Sequence, residues 1–321
     1  MTDANGAISA GRDDAWILGF DIGGTKTAII VGTPDGIVLD RDVVPMVPGA
    51  SFDASWATIT PIADRFVEMR GTPAAVGISV GGPVDTNRGV VLSPPNLPAW
   101  DEIPLRDICR SRYSAQAFLE HDGRAGALAE WLFGAGRGLS SLVFLTFGTG
   151  LGAGVIIEGR LLRGAHDAAG EVGRWRMAWR GPRAYGKVGS LEALASGSGL
   201  PRLARFRYPA RSWPDDLTAE VVVELARRGD ADALDVVQVA ARWLGRATAM
   251  LIDLLDPEAV ILGSLAVRAG DLFLPTVVDV VQMETADRTR SCVVVPAGLG
   301  ESIGDVAALS AAIYPGLDAR R

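Results

Sequence analysis

The sequence predicts an α/β protein built from two similar domains. Three observations carry that prediction. Strand-like and helix-like segments alternate along the chain, as they do where helices cover a mostly parallel sheet. The order strand, Gly/Thr loop, strand, turn, strand occurs twice, starting near residues 16 and 141. The length, 321 residues, is more than one hydrophobic core usually organises.

The first copy reads WILGFD, IGGT, TAIIVG, TPDG and IVLDRDVV over residues 16–44. A helix is expected over 54–70, with Pro61 as an irregularity. AAVGISVGG is a buried strand that runs into a glycine-rich loop, and NLPAW with DEIPLRD forms a loop and a short helix. AQAFLEHD is a strand ending at Asp122, and GRAGALAEWLFGA is a helix. The second copy is SLVFLTF, GTG, AGVII, EG and RLL. A helical region over about 191–255 follows, then the strands EAVILGS and CVVVPAG and a final helix, SIGDVAALSAAI. This is a duplication at domain scale, not a short-period repeat. It implies a tail up to residue 15, a small domain of 16–122 plus about 301–321, and a large domain of 123–300. Hinges are expected near Asp122–Gly123 and residue 300, with a cleft between the domains. The glycine loops all fall at strand ends, where α/β proteins bind ligands.

Composition narrows the partners. Hydrophobic residues make up 48% and charged residues 21% of the chain, an ordinary globular balance. The net charge of −7 argues against a nucleic-acid partner, which calls for a basic face. Cys109 and Cys292 stand far apart in no metal-ligand spacing, which fits a reduced, cytoplasmic setting. The polar, acidic start lacks the features of a signal peptide. No apolar run reaches the ~18 residues that span a bilayer.

Two loops resemble phosphate-binding motifs and depart from both. GFDIGGTK places Thr25 before Lys26, the reverse of a Walker A loop, and a strand follows where that motif requires a helix. Gly23, Gly24, Thr25 and Lys26 then form a tight hairpin whose amides can hold phosphate oxygens. Asp21, at the strand end, is placed to hold Mg²⁺ through water, or is a buried Asp beside a plain turn. GTGLGA matches a relaxed dinucleotide pattern, but a strand follows it too. Gly148, Thr149 and Gly150 therefore read as a second phosphate hairpin, and two opposed hairpins would grip a nucleotide triphosphate.

The segments DIGGTK, GISVGGPVD, NLPAW, EHDGRAGALAEW, FGTGLGAGV, GEVG and GSLEALASG occur in the order seen in the ROK family of bacterial sugar kinases and repressors. The resemblance covers about residues 16–315. It implies an actin/hexokinase-like (ribonuclease H-like) fold with a central interdomain cleft, ATP and Mg²⁺ as cofactors, and a homodimer. The family's repressors carry a DNA-binding domain ahead of DIGGTK, and only about fifteen residues precede Trp16 here, so the resemblance points to a kinase. The expected acceptor is the 6-hydroxyl of a hexose or aminohexose. Glucose is the default; N-acetylmannosamine, N-acetylglucosamine, mannose, fructose and allose are alternatives. Polyphosphate as donor, a catalytically silent sugar-binding regulator and a dinucleotide-dependent oxidoreductase are the other readings.

The resemblance also assigns residues. A sugar kinase positions a hydroxyl in line with the γ-phosphate and removes its proton with a carboxylate. Asp122 matches that base, and otherwise serves as a helix cap. Gly81 and Gly82 let the backbone approach the sugar. Asn96 matches a sugar-contacting asparagine in a loop stiffened by Pro94, Pro95 and Pro98. Glu171 and Glu192 match two glutamates that hold ring hydroxyls. Gly263 matches the adenosine-side strand, and Ser264 replaces a glycine there. His121 stands where the family has Asn, and an imidazole cannot copy an amide's paired donor and acceptor. The family's His/Cys₃ zinc frame falls on Arg174, Arg183, Tyr185 and Ser190, none of them a usual zinc ligand, so no structural zinc is expected. Arg174 would pair with Glu171 or Glu192, reach a sugar oxygen, or face solvent.

Overall fold

The computed structural model describes residues 15–318; residues 1–14 of the expected tail lie outside the described residues. The chain divides into two compact units. The first runs to Phe133, adds Arg160–Ala169 and takes the chain from Ser302 onward; the second comprises Gly134–Gly159 and Gly170–Glu301.

In the first unit, β1 (Ile17–Ile22), β2 (Lys26–Gly32) and β3 (Val38–Pro45) form an antiparallel meander. Helix α1 (Phe52–Arg70) follows, capped by Ser51, whose hydroxyl accepts from the Ala54 amide, and closed by Gly71 at φ 79°. It continues through Pro61, which is exposed. Then come β4 (Ala75–Val80), a two-strand ladder of β5 (Val84–Asp85) and β6 (Val90–Val91), α2 (Leu105–Tyr113), β7 (Gln116–His121) and α3 (Asp122–Phe133). The sheet order is β3-β2-β1-β4-β7. α3 begins at the expected hinge, yet it stays in this unit, with Trp131 edge-on to Tyr314 of the C-terminal helix Ile303–Asp318.

Both sheet faces are covered, so β1 and β4 are apolar almost throughout rather than alternating. Leu18, Phe20 and Ile78 pack with Ile59 and Phe66 of α1 and Tyr113 of α2. Ile17, Ile30 and Ala75 pack on Ala308, Leu309 and Ala312 of the C-terminal helix. Each large side chain so buried contributes roughly 1.5–3 kcal/mol, more than any exposed ion pair. The helix lies very close because Gly19 and Gly77, paired in register, have no side chains; a β-carbon on Gly77 would overlap the Ala308 carbonyl oxygen.

The second unit repeats the plan. β8 (Leu142–Leu145) and β9 (Ala153–Ile157) make an antiparallel hairpin; the short strand β10 (Arg160–Leu161), which follows the turn, is counted with the first unit. Two short strands, β11 (Arg183–Ala184) and β12 (Lys187–Val188), pair with each other. The helical region resolves into α4 (Leu191–Ala195), α5 (Gly199–Arg207), α6 (Ala219–Arg227) and α7 (Ala231–Leu255). β13 (Ala259–Leu262), α8 (Leu265–Glu284) and β14 (Val293–Pro296) follow, and the C-terminal helix is α9. The strands run β9-β8-β13-β14, with β13 parallel to β8 and to β14. The first unit has the same pattern in β2-β1-β4-β7, so the duplication read from the sequence is a duplication of topology. Helices α7 and α8 approach at Gly245, where a β-carbon would stand 2.8 Å from Val280 Cβ. Phe147 and Phe273 meet edge to face at 5.2 Å in the core. Cys109 and Cys292 are free thiols. No helix among the described residues is long and apolar enough to cross a membrane.

Gly77→Ala should lower the unfolding free energy by about 1–3 kcal/mol, because α9 must move off the sheet. Urea denaturation monitored by tryptophan fluorescence checks this; wild-type stability would contradict the packing described.

Candidate active site

In the first unit the site is set by strand register. β1 and β4 run parallel with Asp21 opposite Ser79, and β4 and β7 run parallel with Val80 opposite His121. Three carboxyl ends therefore lie side by side, the edge where open α/β sheets bind ligands. Gly81, Gly82 and Asp122 follow directly. A β-carbon on Gly81 would stand 3.8 Å from Asp122 Oδ2, and one on Gly82 would stand 2.8 Å from His121 Nε2.

Asp122 is not used as the helix cap. Its Oδ1 accepts from the adjacent Gly123 amide at 2.6 Å, whereas a cap bonds an amide two or three residues on. That bond is made by His121, whose Nδ1 accepts from the Gly123 amide at 3.2 Å. An accepting Nδ1 assigns the ring proton to Nε2, the nitrogen that faces Gly82. The Asp122 side chain stays 50% exposed, with an oxygen free to take a proton.

Asp21 sits deeper. Burial, then the Asp122 and Asp305 carboxylates, push its pKa up to about 6, while Ser79 and Lys26 pull the other way. Gly304 at the start of α9 lets this carboxylate approach the helix backbone. The hairpin beside it is held by a bond from the Gly23 amide to the Lys26 carbonyl at 3.0 Å. A β-carbon on Gly24 would stand 2.6 Å from Asn96 Cβ, so the hairpin and the Asn96 loop are in contact. That loop is fixed by turns from Pro94 to Leu97 and from Leu97 to the fully buried Trp100.

A charge cluster unforeseen from the sequence underlies this edge. Arg124 is 1% exposed. Its Nε donates to Glu120 Oε1 at 2.6 Å and its Nη1 to the Asp167 carbonyl at 2.8 Å. Its Nη2 lies 3.0 Å from Asp167 Oδ1 as an ion pair without an aligned hydrogen bond. Arg163 Nη2 donates to Glu120 Oε2 at 2.7 Å, and Glu120 Oε1 also accepts from the His121 amide at 2.9 Å. Asp167 Oδ2 accepts from the Thr86 amide at 2.6 Å. One arginine thus ties the end of β7, the start of α3 and the segment 160–169 together. The one signal in the sequence was a cation inside the small-residue helix GRAGALAEW.

In the second unit, Gly148 begins a tight loop closed by its amide on the Gly150 carbonyl at 3.1 Å. The carbonyls of Gly148 and Thr149 accept from Gly197 and Ser198. Gly263 allows close backbone approach, since a β-carbon there would stand 2.7 Å from the Thr146 carbonyl oxygen. Ser264 follows at φ 36°, ψ −86°, a backbone that strongly favours glycine. A β-carbon on Gly148 would stand 3.3 Å from its hydroxyl. Glu192, buried in the first turn of α4, accepts from the Leu151 amide at 3.1 Å and the Tyr185 hydroxyl at 2.6 Å. Glu171 is exposed. Arg174 pairs with neither glutamate among the described residues; its guanidinium lies 4.9 Å over the Tyr185 ring.

The donor chemistry separates two metals. Asp21 is a half-buried hard-oxygen donor under negative charge, which fits a magnesium held through water and phosphate. Arg174, Arg183, Tyr185 and Ser190 offer neither thiolate nor imidazole, which does not fit structural zinc.

The sequence profile of the ROK family matches residues 17–313. A glucokinase from Thermotoga maritima is 34% identical over 271 residues, 80% of this chain and 84% of that enzyme. A xylose repressor from Caldicellulosiruptor bescii is 29% identical over 291 residues, 87% of this chain and 73% of the repressor. The crystal structure of a ROK family glucokinase from Streptomyces griseus, in complex with glucose and AMPPNP, has a TM-score of 0.79 at 32% identity, covering 93% of this chain and 98% of that one.

Asp21→Asn should stabilise the protein in magnesium-free buffer. The native pKa of about 6 lies above the ordinary carboxylate value, so the wild type gives up stability as pH rises from about 4 to 6 and stays lower above that. The gain from the substitution should be nearly absent near pH 3.5 and roughly 3 kcal/mol at pH 7.5. Urea melts of both proteins across that range check it; parallel curves would refute the buried charge.

Proposed function

The chain belongs to the ROK family, and from that premise we propose that it transfers the γ-phosphoryl group of ATP to the 6-hydroxyl of a hexose or aminohexose, with Asp122 as general base. It is a sugar kinase, and glucose is the first acceptor expected, as the relatives from Thermotoga and Streptomyces are glucokinases. One observation supports the assignment of the base. The Gly123 amide is shared by His121 and by Asp122 Oδ1, which leaves Oδ2 of the half-exposed Asp122 carboxylate at the carboxyl edge of the sheet.

The roles follow from the chemistry. Asp122 accepts the proton of the attacking hydroxyl, so that the nucleophile forms as the phosphoryl group transfers. His121 Nε2–H and the Gly81–Gly82 backbone orient the sugar from the first unit, with Asn96 at the loop beside the hairpin. From the second unit Glu171 and Glu192 accept sugar hydroxyls, and Arg174 offers a donor. The amides of Gly23–Lys26 and of Gly148–Gly150 receive phosphate oxygens, with Gly263 and Ser264 on the nucleoside side. Magnesium, held by Asp21 through water, supplies neutralisation of phosphate charge when bound. Asp21 itself gains a counter-charge for its buried carboxylate.

A sugar-responsive regulator without catalysis is the second reading, favoured by the likeness to a xylose repressor. The two acidic groups Asp21 and Asp122, kept together at the sheet edge, favour the enzyme.

ADP release measured with ATP and magnesium across glucose, mannose, fructose, allose, N-acetylglucosamine and N-acetylmannosamine tests the proposal. Turnover with glucose or one of these hexoses is expected, and silence with all of them would favour the regulator. Asp122→Asn should fold normally and lose ~10²–10⁴-fold in kcat; an enzyme keeping most of its turnover would remove Asp122 from the role of base.

A further inference from the structure

We infer that Tyr185 is a positioning residue for the acceptor sugar: its hydroxyl ties down one oxygen of Glu192 so that the other is presented to substrate hydroxyls. This rests on the sugar-kinase reading for what the glutamate binds, and on the second unit alone for its geometry.

Glu192 Oε2 receives two donors, the Tyr185 hydroxyl at 2.6 Å and the Leu151 amide at 3.1 Å. Two bonds to one oxygen fix the carboxylate plane and leave Oε1 with no hydrogen bond among the described residues. An ionised carboxylate oxygen with free lone pairs accepts from hydroxyls such as those of a sugar ring. Gly150 leaves room for this carboxylate, since a β-carbon there would stand 3.0 Å from Glu192 Oε2.

The tyrosine is held for this task rather than for the turn it occupies. Tyr185 and Gly186 have φ of 52° and 68° and join β11 to β12. Two positive φ values in a two-residue hairpin favour Asn and Gly, so tyrosine at the first position works against its own backbone. The strain is compensated where the side chain acts. Arg174 covers the ring at 4.9 Å, and Lys187 Nζ donates to the Arg174 carbonyl at 2.6 Å. Burial and the Glu192 carboxylate push the phenol pKa up, so the hydroxyl stays protonated and can only donate to that carboxylate.

Two substitutions separate positioning from structure. Tyr185→Phe keeps the ring and removes the donor. Tyr185→Asn suits the turn and removes the whole contact. Both should weaken glucose binding, read by calorimetry without phosphoryl transfer, by ~10-fold, the loss typical of one hydrogen bond to a charged group. In steady-state assays the loss should fall on KM for the sugar, not on KM for ATP. The melting temperature of Tyr185→Asn should not fall. In a Glu192→Gln background, Tyr185→Phe should cost much less than it does alone. Wild-type glucose affinity in Tyr185→Phe, or a loss that is the same in both backgrounds, would overturn the inference. So would failure of the wild type to bind glucose, N-acetylglucosamine or N-acetylmannosamine. Glucose binding without ATP turnover would overturn the kinase reading and leave this inference standing.

Discussion

The parallel register of β1, β4 and β7 is the constraint on which the first unit's chemistry depends. Side chains alternate faces along a strand, so a shift of one residue would send a functional group to the opposite face. The pairing of Asp21 with Ser79 and of Val80 with His121 is therefore what makes three distant segments chemically adjacent. It is enforced from both sides. One face is locked by the packing of Leu18, Phe20 and Ile78. The other is locked by α9, which fits only where Gly19 and Gly77 stand side by side. A slipped register would put side chains where the helix must lie.

Two kinds of buried charge sit behind this edge and answer to different rules. Arg124 is enclosed but matched, with Glu120 and Asp167 on either side. Such a cluster is poor evidence of net stabilisation, since desolvation offsets much of the attraction, but removing one partner would strand the others. It fixes the junction of β7 and α3 from which Asp122 projects. Asp21 is enclosed and mismatched, with carboxylates as its strongest neighbours. No folding argument favours that arrangement. The field there is unfavourable to the ionised carboxylate in the free protein.

Much of the fold was legible because strands and glycine loops announce themselves locally. The two copies of the hairpin, the buried strands and the final helix stand where the sequence put them. The boundary after Asp122 was not legible: whether α3 stays with the first unit depends on Trp131 meeting Tyr314, almost two hundred residues away. The glycine loops and strand ends that carry the expected site residues were legible through their motifs, and the hydrogen bonds among them were not. Asp and His both fit a helix start, and only coordinates show that His121 makes the capping bond. The Glu120–Arg124–Asp167 cluster was invisible because Asp167 is remote from the other two in sequence, and Arg124 shares its helix with other charges, Asp122 and the buried Glu130.

The segment 170–192 carries neither cysteine nor histidine where the resemblance places a ligand set. A structural metal supplies about 10–16 kcal/mol through one centre. Here the turns are held by many bonds of about 1 kcal/mol each. Met177 and Ala178 donate to the Gly189 carbonyl, Leu191 donates to Trp175, and Arg176 and Lys187 reach the carbonyls of Val188 and Arg174. Ser190 caps α4 at a position where the resemblance placed a cysteine. Distributing the load changes what mutation can do. No single bond in this set carries the whole load of the segment. Tyr185 sits on a backbone that would suit asparagine or glycine, and its hydroxyl donates to Glu192.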